Sequence, residues 1–324
     1  MARIASFGTT AQGADVRRIT LQSGDLTVSV LTYGAILQSV RLDGVAHDLT
    51  LGSDRLADYE GGMRYHGALV APVVNRLGGA QATIAGRQHQ FEANQDGRVI
   101  LHSGAAGTHC KLWDLVSATA SEAVLALDLP DGEGGFPGNR RIEARFTLVP
   151  PASLRLTVTA TSDAATILNT ANHSYWNMDG SPTWEGHALQ IAADHYLPTD
   201  ADVVPTGEVR AVSGGYDLRK LRPIAPNDPE MDHNFCLSAA RAPLRDVLRL
   251  QGKSGVTLVL ATTEPGVQVY DGRNSPRPGR GHYEGLAIEA QGWPDAPNHA
   301  GFPSIDLAPG ALLTQITEWR FARG

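Results

Sequence analysis

The sequence has few cysteines and no long hydrophobic run. Of its 324 residues only 2 are cysteine, Cys110 and Cys236, and neither belongs to a CxxC pair. This excludes a disulfide framework, and we expect both thiols to be reduced. No apolar stretch approaches the roughly 20 residues of a membrane-spanning helix, and the N-terminal residues lack the apolar centre of a signal peptide. We therefore expect a cytoplasmic protein with no membrane partner.

Positive charge is also scarce. The chain has 27 Lys and Arg residues against 34 Asp and Glu residues, which gives a formal net charge of -7. A nucleic-acid-binding surface needs basic side chains along a row of phosphates, and no long basic run is present. We therefore expect no nucleic-acid partner.

Sequence motifs of several common enzyme classes are missing. The 11 histidines form no HExxH motif and no close His/Cys cluster at zinc spacing, so we expect no metal site. There is no GxSxG nucleophile elbow and no GxxxxGK[ST] loop, and Pro137 occupies the last glycine position of a possible GxGxxG loop. A serine hydrolase with a nucleophile elbow and a protein with a glycine-rich phosphate-binding loop are thus disfavoured, and we expect no cofactor.

The sequence does contain many short strand patterns. In 153–162 apolar and polar residues alternate, which is the period of a strand with one buried face. Turn signals formed from the 35 glycines and 19 prolines separate such runs. We find helical periodicity only at 56–60 and 243–250. We therefore predict an all-β antiparallel sandwich or barrel that forms a single domain over 1–324, with further strands in 26–40, 123–129, 144–149, 256–261 and 267–270.

Two segments carry polar residues that are unusual for a scaffold. In 168–180, strand alternation places four polar side chains on the face opposite Trp176: Asn169, His173, Tyr175 and Asn177. In 286–299, Glu289 shares a face with Ala287 and Gln291, whereas Leu286 and Ile288 point to the other face. Burying an unpaired carboxylate is costly, so we expect Glu289 to line a cleft.

Each of these residues, taken alone, also has a purely structural explanation. A single histidine is often hydrogen-bonded in a core, and a single strand glutamate is usually solvated. Arg76 could form a surface ion pair and Asp232 could cap a turn. Trp176 and Trp293 could simply pack in the core or at its rim.

The segments together resemble the aldose 1-epimerase family, the galactose mutarotases. The resemblance follows the order and spacing of the family's motifs along nearly the whole chain. It implies a large twisted antiparallel β-sandwich with a monosaccharide site in an open cleft. The motifs that carry it are NRLGG at 75–79, LHSG at 101–104, DGEGGFPGN at 131–139, NHSYWNM at 172–178, MDHNF at 231–235, EPGVQVYDG at 264–272 and EAQGWPDAPNH at 289–299.

The resemblance also implies residue roles. Glu289 corresponds to the general base of the family and His173 to its general acid. The positions that bind the sugar or assist the acid correspond to His102, Arg76, Asn75, Asp232 and Gln268. We further expect Trp176 or Trp293 to cover an apolar face of the sugar.

The implied reaction needs one base and one acid. Interconversion of α and β anomers removes the proton of the anomeric hydroxyl and protonates the ring oxygen. An ionised glutamate suits the first step, and a histidine whose pKa is raised slightly by a nearby carboxylate suits the second. Each positioned proton transfer is worth roughly 10²- to 10⁴-fold in rate, so no metal or cofactor is required.

Three departures from the family pattern affect the choice of sugar. Ala71 and Pro72 replace a common glycine-arginine pair, and Ser103 replaces a common glycine. The segment that follows Gly107 lacks an aromatic residue that is often present there. We expect these positions to change sugar specificity more than the reaction.

Three alternative functions remain at the level of sequence. A hexose-6-phosphate 1-epimerase would need a second basic residue in the motifs, and a glycoside hydrolase would pair Glu289 with another carboxylate such as Asp232. A catalytically silent sugar-binding protein would have no need of both Glu289 and His173. The sequence does not distinguish a monomer from a homodimer.

Overall fold

The structure, a computed structural model that describes residues 1–324, is built almost entirely from antiparallel strands. Its largest unit is a nine-stranded sheet. In spatial order this sheet consists of Asp114–Ala118, Glu122–Leu129, Arg140–Val149, Ser153–Ser162, Leu313–Ala322, Thr257–Thr262, Arg245–Gln251, Ala188–Ile191 and Arg222–Pro223. The all-β class expected from the sequence is confirmed.

Two smaller sheets and four short strand pairs complete the architecture. The four-stranded sheet consists of Arg3–Thr9, Asp15–Ser23, Leu26–Leu31 and Leu37–Leu42. The six-stranded sheet consists, in spatial order, of Tyr175–Trp176, Leu286–Gln291, Gly266–Tyr270, Asp232–Cys236, His195–Tyr196 and Arg210–Ala211. The short pairs are Leu69–Val70 with Ala171–Asn172, Arg76–Leu77 with Ile100–Leu101, Gln81–Ile84 with Arg87–Gln90, and Thr166–Ile167 with Asp306–Leu307.

Helical structure is short. The α-helix is Leu56–Glu60, as the sequence predicts. Six single 3₁₀ turns accompany it: Gly78–Ala80, Gly104–Ala106, Thr108–Cys110, Glu133–Gly135, Gly214–Tyr216 and Ala296–Asn298. None of the helices has the length and apolar character required to cross a lipid bilayer.

Alternating burial along the strands creates one main core between the sheets. In Ser153–Ser162 every second residue is buried, and Leu154, Leu156 and Val158 pack into this core. The core contains 53 buried residues from the nine-, six- and four-stranded sheets, as a sandwich requires. The other predicted runs are also strands, except that 26–40 divides into two strands joined by a turn.

The predicted helix at 243–250 is wrong, because the strand Arg245–Gln251 covers most of it. Its pairing with Thr257–Thr262 shifts register between Asp246 and Leu248, which is a β-bulge. The bulge allows the adjacent residues Val247 and Leu248 to be buried together. Two neighbouring apolar residues break the two-residue period and imitate helical spacing.

Candidate active site

The six-stranded sheet presents polar side chains on the face that does not contact the main core. Gln268 is paired with Glu289 on one side and with Asn234 on the other, so these three residues form a row across the sheet. Their neighbours Val269 and Ile288 point the other way, into the main core. The alternation that the sequence predicts for Glu289 is therefore present, and the site face of the sheet is polar.

A cavity of about 270 Å³ opens above this polar face. This volume is close to the lower limit of roughly 300 Å³ for small-molecule sites, so it suits a ligand of about one sugar ring. Six of the seven side chains predicted for the site line it, and Gln268 does not. The lining residues are Tyr65, Asn75, Arg76, Leu101, His102, His173, Tyr175, Val203, Asp232, Tyr270, Asn274, Ser275 and Glu289.

His173 and Glu289 meet in the wall of this cavity. Nε2 of His173 lies 3.5 Å from Oε1 of Glu289, and the side chains are only 5% and 2% exposed. His173 Nδ1 and Glu289 Oε2 are buried and have no hydrogen-bond partner in the protein. The pair therefore has hydrogen-bonding capacity that the fold itself does not use.

Burial controls the protonation of this pair. Loss of hydration raises the pKa of Glu289 well above its usual value, the nearby charge of Asp232 raises it further, and Arg76 opposes the shift. Loss of hydration also lowers the pKa of His173 to about 4. The upward shift expected for His173 is therefore wrong, because full burial lowers its pKa and the nearby charge of His109 adds to that effect. Both shifts disfavour the charged forms, so burial favours the neutral pair over the ion pair.

His102 and Asn75 fix each other at one edge of the cavity. The backbone N–H of Asn75 donates to His102 Nδ1 at 3.1 Å, and the backbone N–H of His102 donates to the backbone carbonyl of Asn75 at 2.9 Å. Because Nδ1 accepts a hydrogen bond, the ring proton of neutral His102 is on Nε2. Burial lowers the pKa of His102 well below its usual value, so the ring stays neutral. His102 thus offers the cavity an N–H donor.

Ser103 supports this arrangement from behind. Its backbone is left-handed, with φ of 62°. Its hydroxyl donates to the carbonyl of Val73 and accepts from the N–H of the same residue, both at 2.9 Å. The serine that replaces a common glycine is therefore buried and links the segment of His102 to the segment of Asn75, and it does not line the cavity.

Arg76 and Asp232 form an ion pair in the wall of the cavity. Nη1 of Arg76 lies 3.8 Å from Oδ2 of Asp232. Gln268 Nε2 donates to Oδ1 of Asp232 at 2.7 Å, so Gln268 holds this carboxylate from below the cavity. Burial raises the pKa of Asp232, and both Arg76 and Gln268 oppose that shift.

Gln95 contacts Arg76 and is absent from the sequence-based predictions. The Oε1 atom of Gln95 accepts a hydrogen bond from Arg76 Nε at 2.9 Å. Gln95 lies in the polar stretch between Phe91 and Val99 and belongs to none of the recognised motifs. No local pattern marks it, because its importance depends on contacts made in the folded chain.

Tyrosines, and not tryptophans, form the aromatic wall of the cavity. Trp176 is fully buried in the main core against Trp319, and Trp293 donates through Nε1 to the carbonyl of Pro265. Neither tryptophan is placed to cover a sugar in the cavity, contrary to expectation. The aromatic lining residues are Tyr65, Tyr175 and Tyr270, and the ring of Tyr65 lies 4.5 Å from that of His102 and 5.8 Å from that of His173.

The other departures from the family pattern have structural partners. Ala71 is buried in the main core, and its carbonyl accepts from the N–H of Thr108. The carbonyl of Pro72 accepts from the N–H of Asn169. His109 packs against Tyr65 with the ring centroids 4.8 Å apart. Through this contact His109 supports an aromatic side chain of the cavity wall.

The remaining polar residues of 168–180 stabilise the backbone. Asn169 bonds both the N–H and the carbonyl of Gly292, and Asn177 donates to the carbonyl of Glu284. Of the four side chains predicted to share a face, His173 and Tyr175 therefore line the cavity. No group of three or more His, Cys, Asp or Glu side chains is arranged to hold a metal ion.

Comparison with known proteins agrees with the fold and with the motif order. The family model for aldose 1-epimerase matches residues 17–320. The chain is 33% identical to the galactose mutarotase of Bos taurus, with 98% of each chain covered. It is 30% identical to the aldose 1-epimerase of Escherichia coli K12, with 95% of this chain and 96% of that protein covered.

Solved structures give the same result. The crystal structure of galactose 1-epimerase from Lactobacillus acidophilus matches with a TM-score of 0.87 at 29% identity, and it covers 100% of this chain and 99% of its own. An aldose epimerase homologue from Caenorhabditis elegans also matches with a TM-score of 0.87, at 26% identity, over 94% of this chain and 98% of its own. These agreements confirm the mutarotase-like sandwich, and the chain belongs to the aldose 1-epimerase family.

Proposed function

We propose that this protein is a mutarotase, an isomerase that interconverts the α and β anomers of a free aldose. The observation that carries the proposal is the contact between His173 and Glu289, two proton-transfer groups 3.5 Å apart in the wall of a cavity with the volume of about one sugar ring. Membership of the aldose 1-epimerase family supports the reaction class. The mammalian relatives are named for galactose, so a galactose- or glucose-like hexose is the first substrate to test.

In the proposed mechanism, Glu289 and His173 move two protons in opposite senses. Glu289 takes the proton of the C1 hydroxyl while His173 gives a proton to the ring oxygen, and the bond between C1 and the ring oxygen breaks. The open-chain aldehyde rotates about the bond from C1 to C2. His173 then removes the proton from the ring-forming hydroxyl, and Glu289 returns its proton to the carbonyl oxygen, which restores both groups.

Glu289 as base and His173 as acid require the ion pair, which the pKa shifts of the two groups disfavour. Burial favours the neutral pair over the ion pair, but both forms hold the same single proton. A sugar hydroxyl that donates to Glu289 stabilises the carboxylate, which moves the proton towards His173. The pair can then act as base and acid without exchanging a proton with bulk water.

The other predicted residues have binding roles in this proposal. Arg76 and the Nε2–H of His102 donate to sugar oxygens, Asp232 accepts from a hydroxyl, and Asn75 holds His102 in place. Gln268 acts through Asp232, because its amide is occupied by that carboxylate. In this proposal both proton transfers are left to Glu289 and His173.

The alternative functions are less well supported. Arg76 is the only Lys or Arg that lines the cavity, and it faces Asp232, so a phosphate group would lack a free cation. A glycoside hydrolase must hold at least two sugar units, whereas the cavity of about 270 Å³ suits one. A silent sugar-binding protein would gain nothing from burying two titratable groups in contact, since their burial is costly.

Polarimetry of freshly dissolved α-D-galactose and α-D-glucose tests the proposal. Wild-type protein should accelerate the approach to anomeric equilibrium over buffer. The Glu289→Gln variant should lower kcat by roughly 10²-fold or more, because the amide cannot accept the proton. Equal rates for protein and buffer with both sugars, or full activity in a folded Glu289→Gln variant, would refute it.

We also propose a cytoplasmic site of action in carbohydrate metabolism. Both cysteine thiols are free, which suits a reducing compartment. Fractionation of cells that produce the tagged protein is the direct check, and recovery with a secreted or membrane fraction would contradict this location.

A further inference from the structure

The side chain of Gln95 joins two parts of the cavity wall that are distant in sequence. Its Oε1 accepts from Arg76 Nε at 2.9 Å, and its Nε2 donates to the carbonyl of Asp202 at 3.1 Å. The arginine atom can only donate and the carbonyl can only accept, so the orientation of the amide is determined by its partners. Gln95 is therefore a bridge between Arg76 and the segment 200–204.

The segment 200–204 places Val203 in the cavity wall under strain. Val203 lines the cavity and has a left-handed backbone with φ of 62°, which is unfavourable for a β-branched residue. Contacts outside Val203 hold this conformation. Asp202 is bound by Gln95 and by the guanidinium of Arg98, and Asp200 Oδ1 accepts from the N–H groups of Asp202 and Val204 at 2.9 and 3.0 Å.

We propose that Gln95 is a positioning residue and Val203 a sugar-contacting residue. Val203 and Leu101 are the two aliphatic side chains in a cavity whose other lining groups are polar or aromatic. An aldose ring carries hydroxyls at its edges and carbon-bound hydrogens on its faces. Val203 contacts the carbon-bound hydrogens, while Arg76 and Asp232 bind hydroxyls. This inference rests on the proposed function for the identity of the ligand as a monosaccharide.

Gln95 positions both Arg76 and Val203 through its two hydrogen bonds. Because it occupies Nε of Arg76, it orients the guanidinium plane and leaves the two Nη groups for Asp232 and for the sugar. Because it also holds the carbonyl of Asp202, it keeps the next residue, Val203, against the ligand. Loss of Gln95 should therefore weaken sugar binding, while the proton-transfer pair His173 and Glu289 stays in place.

Three variants and one control separate these effects. Gln95→Leu removes both hydrogen bonds at similar volume, whereas Gln95→Glu keeps an acceptor for Arg76 but cannot donate to Asp202. Val203→Gly removes the apolar contact and also relieves the backbone strain. Gln88→Leu is the matched control, because Gln88 is exposed and bonds only to Gln81. The readouts are kcat and KM for D-galactose by polarimetry, Kd by calorimetry, and the thermal midpoint.

We expect Gln95→Leu to raise KM and Kd roughly tenfold, the effect of one charge-assisted hydrogen bond, with kcat within about twofold of wild type. Gln95→Glu should recover part of this loss. Val203→Gly should raise KM and Kd about threefold or more without lowering the thermal midpoint. Gln88→Leu should leave all values unchanged. The role of Gln95 is overturned if KM and Kd of Gln95→Leu stay within about twofold of wild type, and the role of Val203 is overturned if those of Val203→Gly do.

The two proposals can fail separately. Wild-type protein that binds D-galactose but does not accelerate its mutarotation would refute the proposed function. The comparison of Kd values among the variants would still decide the roles of Gln95 and Val203, because calorimetry does not depend on turnover.

Discussion

At the scale of single residues, burial matters more than sequence position for the chemistry of the site. His173 and Glu289 have ordinary side chains, and it is mainly their loss of hydration on burial that shifts their pKa values in opposite directions. The sequence indicates which residues to examine, but the sign of the His173 shift depends on how completely the fold removes water.

The pH dependence of kcat/KM follows from the same shifts. The pKa of His173 is lowered to about 4, so the pair gains a second proton only below about pH 4. The pKa of Glu289 is raised, so the pair loses its proton only well above the usual carboxylate range. We expect a bell-shaped profile whose acid limb lies near pH 4, measured by polarimetry after subtraction of the buffer rate. An acid limb near pH 6.5, typical of an exposed histidine, would contradict this account.

At the scale of elements, short segments tied to each other build the site. Arg76–Leu77 pairs with Ile100–Leu101, and hydrogen bonds between Asn75 and His102 continue this pair beyond its end. Such contacts join residues 27 positions apart, and the Gln95 contact with Asp202 spans 107 positions. Element ends of this kind are where sequence patterns carry least information.

Ser103 offers a test of how these segments are held. Ser103→Ala removes two buried hydrogen bonds and should cost about 1–3 kcal/mol of unfolding free energy. Ser103→Gly removes the same bonds but relieves the left-handed backbone, so it should be more stable than the alanine variant by about 1 kcal/mol. Urea denaturation measures both values. Equal stability of the two variants would mean that the backbone at Ser103 is not strained.

Regular strands could be predicted from the sequence, whereas irregular positions could not. Ser153–Ser162 has an unbroken two-residue period, and its burial follows that period. The strand Arg245–Gln251 was missed because a bulge places Val247 and Leu248 in the core together. Of the aromatic wall, Tyr175 could be predicted from the strand alternation of 168–180, whereas Tyr65 belongs to no motif and enters the wall only through the fold.

At the scale of the whole molecule, the site depends on the complete fold. Its lining residues range from Tyr65 to Glu289 along the chain and come from the six-stranded sheet, the short pair of Arg76–Leu77 with Ile100–Leu101, and loops. The main core likewise draws on the nine-, six- and four-stranded sheets. A sandwich of this kind cannot lose one sheet and keep the cavity intact.

We therefore propose that residues 1–324 unfold as one domain. Scanning calorimetry should give a single transition in which the calorimetric and van't Hoff enthalpies agree. Loss of mutarotase activity and loss of the β-sheet circular dichroism signal should have the same midpoint, because the shared core couples the sheets. Two separate transitions would contradict a single domain.

The most direct test of the central claim is a double-mutant cycle on the mutarotation rate, with Glu289→Gln, His173→Asn and the combined variant. If the two residues share one proton and act as a unit, the combined variant should be about as slow as the slower single variant. Circular dichroism of all three variants serves as the control for folding. A combined loss equal to the product of the two single losses would mean independent roles and would contradict the account, as would near wild-type rates in either folded single variant.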